Sequence, residues 1–133
     1  MFKAVRYDAG KMVDVALAVS QTVVKGDALQ WNGGYLEVGT SSSDDIRFVA
    51  MEDVTTDGSS HTECLCLPVE GVEFEVATDD VVSVDNLGTY ADLATKATIN
   101  PDDSSNDCFY IRAMIGIAET SKIVVGHFIH ALE

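Results

Sequence analysis

The side chains with obvious chemical potential are three cysteines, three histidines and several paired acids. Cys64 and Cys66 are two apart and His61 lies three residues before Cys64. On a strand, residues two apart share a face, so the two thiols point one way and His61 the other. Structural zinc needs four convergent ligands, and the chain holds neither a C-x-x-C pair nor an H-x3-H pair. His127 and His130 are three apart, which again sets them on opposite faces of a strand. These residues read as buried thiols and ordinary histidines.

The acid pairs Asp44-Asp45, Asp79-Asp80 and Asp102-Asp103 raise calcium as a ligand, with Asp102, Ser104, Asn106 and Asp107 as oxygen donors. That loop lacks the glycine and the late glutamate of an EF-hand, and Asx turns account for Asp and Ser in loops equally well. No two acids stand out as a glycosidase pair. Nucleophile elbow, P-loop and dinucleotide fingerprint are absent from the sequence, and Gly33-Gly34 precedes no helix that could cradle a phosphate. The expectation is a protein without catalytic residues, cofactor or metal.

The elements that would position any site are strands. Val13, Val15, Leu17 and Val19 alternate with Asp14, Ala16 and Ala18, as a half-buried strand does. Cys64 to Val69 and Val72 to Val76 alternate in the same way, with Gly71 between them as a bend. Ile46 to Met51, Val81 to Val84, Phe109 to Ile117 and Ile123 to Ile129 are further β-branched or aromatic runs. Trp31-Asn-Gly-Gly-Tyr35 reads as a tight hairpin with aromatics able to pair across it. Segments 40–45, 55–60 and 100–106 are loops by composition. Tyr90 to Ala97 reads as two strands joined at Ala94 and Thr95, with a short helix carrying an Asp92 to Lys96 pair as the alternative. The spacing predicts an all-β fold, a compact β-barrel or β-sandwich of about ten short strands. Val23 to Leu29 aligns with Val81 to Leu87, and Phe48 to Glu52 with Ile115 to Glu119, as two similar halves would.

Charge gives the broad exclusions. Of the 133 residues, 22 are acidic and 8 basic, a formal net charge of −14, while 47% are hydrophobic. Such a polyanion is repelled by nucleic acid and by anionic membranes, and its hydrophobic content rules out disorder. An odd, small cysteine count points to a reducing cytoplasm, and no apolar run is long enough for a signal peptide or a membrane span. The excess acid lies wholly in residues 44–107, where sixteen acids face only Arg47 and Lys96; both flanking segments are balanced. Lys3, Arg6 and Lys11 make residues 1–12 a locally basic arm ahead of a single β-barrel domain, 13–133.

The order of the motifs resembles a known family. Val24-Lys-Gly-Asp-Ala-Leu29, Gly34-Tyr-Leu-Glu-Val38, Phe48-Val-Ala-Met-Glu-Asp53, Leu67-Pro-Val-Glu-Gly71 and Ile115-Gly-Ile-Ala-Glu119 with Ile123-Val-Val125 are similar to the small capsid decoration, or cement, proteins of tailed phages. Two departures are Phe48, where the family has glycine, and Ser83-Val84-Asp85, which lacks the second Gly-Asp. The resemblance implies a non-enzymatic protein that binds the outer surface of a phage head as a homotrimer and stabilises contacts between major capsid protein subunits. It would be made in the host cytoplasm, with neither nucleic acid nor membrane as partner. On this reading Phe2, Lys3, Arg6 and Tyr7 form an arm that reaches a capsid subunit and could be removed without unfolding the domain. The alternative function is a carbohydrate-binding β-sandwich using the hairpin pair Trp31 and Tyr35 as a surface contact. A smaller third reading is an acidic DNA-mimic inhibitor.

Overall fold

Alternation along Glu63–Pro68 sets both faces of a sheet: Cys64 and Cys66 are buried on one side, and Leu67 is buried in a different cluster on the other. Such a doubly buried strand calls for a layer on each face. The computed structural model, which describes residues 1–129, has both layers. His130 lies outside the described residues.

Thirteen strands are present among these residues: β1 (Lys3–Arg6), β2 (Val13–Ala16), β3 (Thr22–Val23), β4 (Ala28–Asn32), β5 (Tyr35–Val38), β6 (Phe48–Ala50), β7 (Val54–Thr55), β8 (Glu63–Pro68), β9 (Glu73–Ala77), β10 (Tyr90–Thr95), β11 (Thr98–Asn100), β12 (Phe109–Met114) and β13 (Ile123–Phe128). They form a six-stranded sheet in the order β1-β9-β13-β12-β10-β11, a five-stranded sheet β2-β8-β6-β4-β5 and a two-stranded ribbon β3-β7. Every strand pairing is antiparallel. The sheets do not close into a barrel; the architecture is sandwich-like.

The main core lies between the two large sheets. Phe2, Phe74, Phe109 and Phe128 meet there, with the Phe2 ring centroid 6.4, 5.9 and 4.8 Å from the other three. Ala28, Val49 and Leu67 close it from the five-stranded side. A second cluster, with Leu29, Leu36, Ala50, Cys64 and Cys66, faces away from the first and packs with Val23 and Val54 of the ribbon. Each fully buried large side chain contributes about 1.5–3 kcal/mol.

The first twelve residues are not an arm. Ala4 pairs with Phe74 and Lys3 with Glu75, so β1 is an edge strand of the six-stranded sheet, followed by a 3-10 turn at Ala9–Lys11. Burial of Phe2 at 2% exposure gives the physical reason. Val81 to Val84 is also not a strand. It runs into a 3-10 turn at Val84–Asn86, where Asn86 Oδ1 accepts the Ser83 N–H at 2.8 Å. Nor are the aligned repeats alike: Val23 to Leu29 leads from ribbon to sheet and Phe48–Ala50 is β6, whereas their counterparts are the 3-10 turn and the β12-β13 turn. Tyr90–Thr95 is strand, with the turn to β11 at Lys96-Ala97 rather than at Ala94-Thr95.

Candidate interaction surface

The Lys25-Gly26-Asp27 turn fixes the N-terminal strand. Gly26 takes φ +93°, and a Cβ there would collide with Met1, so only glycine fits. Its carbonyl accepts the Phe2 N–H at 2.8 Å, and its own N–H donates to the Ala50 carbonyl at 2.8 Å. Asp27 Oδ2 accepts the Val24 N–H at 2.8 Å, and Asp53 Oδ1 accepts the Lys25 N–H at 2.7 Å. Phe2 is thereby held in the core, unavailable as a contact residue, while Lys3, Arg6 and Tyr7 stay exposed. Lys3, Tyr7 and Lys25 border one groove of about 180 Å³, and Arg6, Tyr7 and Lys11 border a neighbouring one of about 230 Å³. Four of the eight basic residues, two of them on the edge strand β1, therefore line these two adjoining grooves, the second of which Asp8 and Glu70 also border.

The hairpin aromatics do not form a pair. Trp31 stands opposite Leu36 and Tyr35 opposite Asn32, which puts the two rings on opposite faces. Trp31 meets the Phe48 ring edge-on at 5.5 Å, and Tyr35 stacks on His61 at 3.7 Å with planes 8° apart. The turn itself is as its residues demand, Gly33 and Gly34 both having positive φ.

Cys64, Cys66 and Cys108 are free and buried. The Cys66 thiol is pushed up by its hydrogen bond with the Cys64 side chain and by burial, and desolvation pushes Cys108 up to about 12. His61 Nδ1 lies 3.0 Å from the Leu17 carbonyl. The loop after β11 turns its backbone donors inward. Asp92, 1% exposed, accepts the Asn106 and Asp107 N–H groups at 2.8 and 2.9 Å. The hydroxyl and N–H of Ser105 bind Asp103 at 2.8 and 3.1 Å and hold its carboxyl below the usual range. Among the described residues no group of three or more His, Cys, Asp or Glu converges as metal ligands.

One surface has no single-segment signature. On the outer side of the six-stranded sheet Tyr90, Tyr110 and His127 form a row across β10, β12 and β13, with centroid separations of 5.5 and 5.2 Å. Beside them the Arg112 guanidinium donates to the Glu73 carboxylate, Nη2 to Oε1 at 3.2 Å. At the hairpin end of the same sheet Ile115, Ile117 and Ile123 are exposed. The alternation of 110 and 112 against 109 and 111 was the available signal, but it places residues on one strand and not across three.

The fold defined here is an all-β, sandwich-like domain of antiparallel sheets with a third, two-stranded layer. No protein-family model and no curated protein matches the chain. Among solved structures it is similar to the N base of the head fiber gp8.5 in bacteriophage phi29, with a TM-score of 0.54 at 19% identity over 92% of this chain and 98% of that chain. At that identity the likeness is one of fold. The decoration-protein motifs have no family match behind them; what stands is an architecture shared with a phage head protein.

Proposed function

We propose that this chain is a structural protein of a phage virion that attaches to the outer surface of the head and holds neighbouring major capsid subunits together. It acts by binding, as an oligomer on the trimer pattern of decoration proteins, without catalysis or cofactor. The observation that carries the reading is the fold correspondence with a head fiber base over nearly the full length of both chains. The basic edge supplies the attachment surface: Lys3, Arg6 and Tyr7, backed by Lys11 and Lys25, are the contacts, and Phe2 is the anchor that positions them. Elsewhere the acidic surface stays in solvent, because desolvating unpaired carboxylates is costly. Many such copies on one lattice act together through multivalency.

The test is co-sedimentation with undecorated heads of the phage that encodes the chain. Saturable pelleting and greater heat resistance of the heads are expected. An Arg6→Glu/Lys11→Glu variant, both positions being exposed, should attach about tenfold more weakly while melting like the parent. Absence of pelleting by the parent protein would overturn the reading.

A further inference from the structure

We propose that the outer face of β9, β13, β12 and β10 is the surface on which a second copy of this chain packs. An antiparallel sheet facing water normally alternates to polar side chains on that side. This one instead carries the row Tyr90, Tyr110 and His127, and at its hairpin end Ile117 and Ile123 at 76% and 38% exposure. Tyrosine, histidine, isoleucine and a paired arginine make up the kind of surface found at the centre of interfaces, where unpaired charge is depleted.

Charge decides which partner fits. The protein carries −14, yet on this face Arg112 is matched by Glu73, and Glu75 stands opposite Lys3 in the strand register. Two copies repel one another over most of their surface and can approach closely only where charge is locally balanced and apolar groups are gained. A second copy is the partner to which this restriction applies, and this face is where the restriction is met. The four strands, about 4.8 Å apart and up to about 20 Å long, present on the order of 400 Å² in projection, and the exposed Ile115 and Ile117 of the β12-β13 turn extend that patch toward the ~800 Å² per partner of a standard interface. This placement rests on the oligomeric part of the function proposed above and not on head attachment, whose basic edge adjoins this face at Lys3.

Sedimentation equilibrium of the full chain, from low micromolar concentration upward, is the experiment. The expected result is a species heavier than the 14.3 kDa chain that forms more readily as salt is added, because salt screens the repulsion. Ile117→Asp and Ile123→Asp should each weaken association about tenfold or more, with the circular dichroism and melting of the parent. Val24→Asp, exposed on the turn after the ribbon strand β3, should leave it unchanged. Hydroxyl-radical footprinting of the unmutated protein gives a readout that no misfolded variant can obscure: Tyr90 and Tyr110 should become protected as concentration rises. A 14.3 kDa species at every concentration, aspartate variants that associate like the parent, unprotected tyrosines, or association that weakens with salt would each overturn the proposal. The last outcome would mark the basic edge of one copy lying on the acidic surface of the next. Aspartate variants that are monomeric but still pellet with heads would separate this interface from the attachment site.

Discussion

Asp27 Oδ2 and Lys96 Nζ lie 3.0 Å apart, an ion pair that ties the two large sheets together at one end. Asp27 precedes β4 of the five-stranded sheet, and Lys96 occupies the β10-β11 turn of the six-stranded one. The link is reinforced on both sides: Lys96 Nζ also donates to the Thr22 carbonyl at 2.8 Å, and the Lys96 carbonyl accepts the Ala28 N–H at 2.7 Å. Asp27 is 2% exposed and the Lys96 side chain 32%. The acid is therefore the member with no access to water once its partner is gone.

Lys96→Met should accordingly destabilise the fold. Stranding a fully buried charge costs about 3–5 kcal/mol; because the ammonium is partly solvated, about 1–3 kcal/mol is expected here. Urea denaturation measures it, and the double variant with Asp27→Asn should recover part of the loss through removal of the stranded charge. A Lys96→Met midpoint equal to that of the parent would show that the pair contributes nothing.

Phe2 gives the second prediction. Truncating a buried phenylalanine costs about 3–5 kcal/mol, so Phe2→Ala should lower the denaturation midpoint far more than Lys3→Ala, whose side chain is exposed. Deletion of residues 1–7 should unfold the domain or expose the β9 edge, since β1 pairs with β9 and Phe2 touches three other phenylalanine rings. An N-terminally shortened chain that melts like the parent would restore the arm.

Much of this architecture was legible locally. Alternation located β8 and β9, and Asn32-Gly33-Gly34 located the β4-β5 hairpin. Most of what failed depended on distant partners. Phe2 and Ala4 alternate with Lys3 and Val5 as a strand does, but β1 pairs with β9 far along the chain, and the charges of Lys3 and Arg6 read more loudly than the alternation. Val81 to Val84 has strand residues, yet Ser83 and Asn86 satisfy the backbone locally through a capping box, and a 3-10 turn results. The acidic segment 44–107 was legible as sequence but not as a face, because it supplies strands to all three sheets. For the same reason the Tyr90, Tyr110 and His127 row exists only once three strands are in register.

The buried thiols predict an alkaline limit to stability. Cys108 titrates at about 12 in the folded protein against 9.0 when unperturbed, so between these values the unfolded chain has released a proton that the folded chain retains. Stability is then unaffected below pH 9.0 and falls as pH rises toward about 12, by about 1.4 kcal/mol per pH unit for this group. Cys108→Ala should remove that slope while leaving the contribution of other groups, so the two melting curves compared across alkaline pH isolate it. Parallel curves would refute the buried state of the thiol.

Asp92 turns the calcium question into a measurement. Its carboxylate is buried, and its partners are donors: the Asn106 and Asp107 N–H groups, and Asn106 Nδ2 at 3.2 Å. Asp107 takes φ +51°, a left-handed conformation that aspartate tolerates better than most residues and that helps aim these amides at the carboxylate. A loop folded to present N–H groups to an anion cannot also present oxygens to a cation without rearranging. Asp92→Ala would leave those donors buried without an acceptor and should cost about 2–4 kcal/mol, and Asp92→Asn, which keeps one oxygen, about 1–2 kcal/mol. Millimolar calcium should leave the melting temperature of the unmutated protein where it is. A calcium-dependent rise would mean that the loop opens to bind the ion, since a ligand that binds only the folded state must stabilise it, and the amide-capped description of Asp92 would then be wrong.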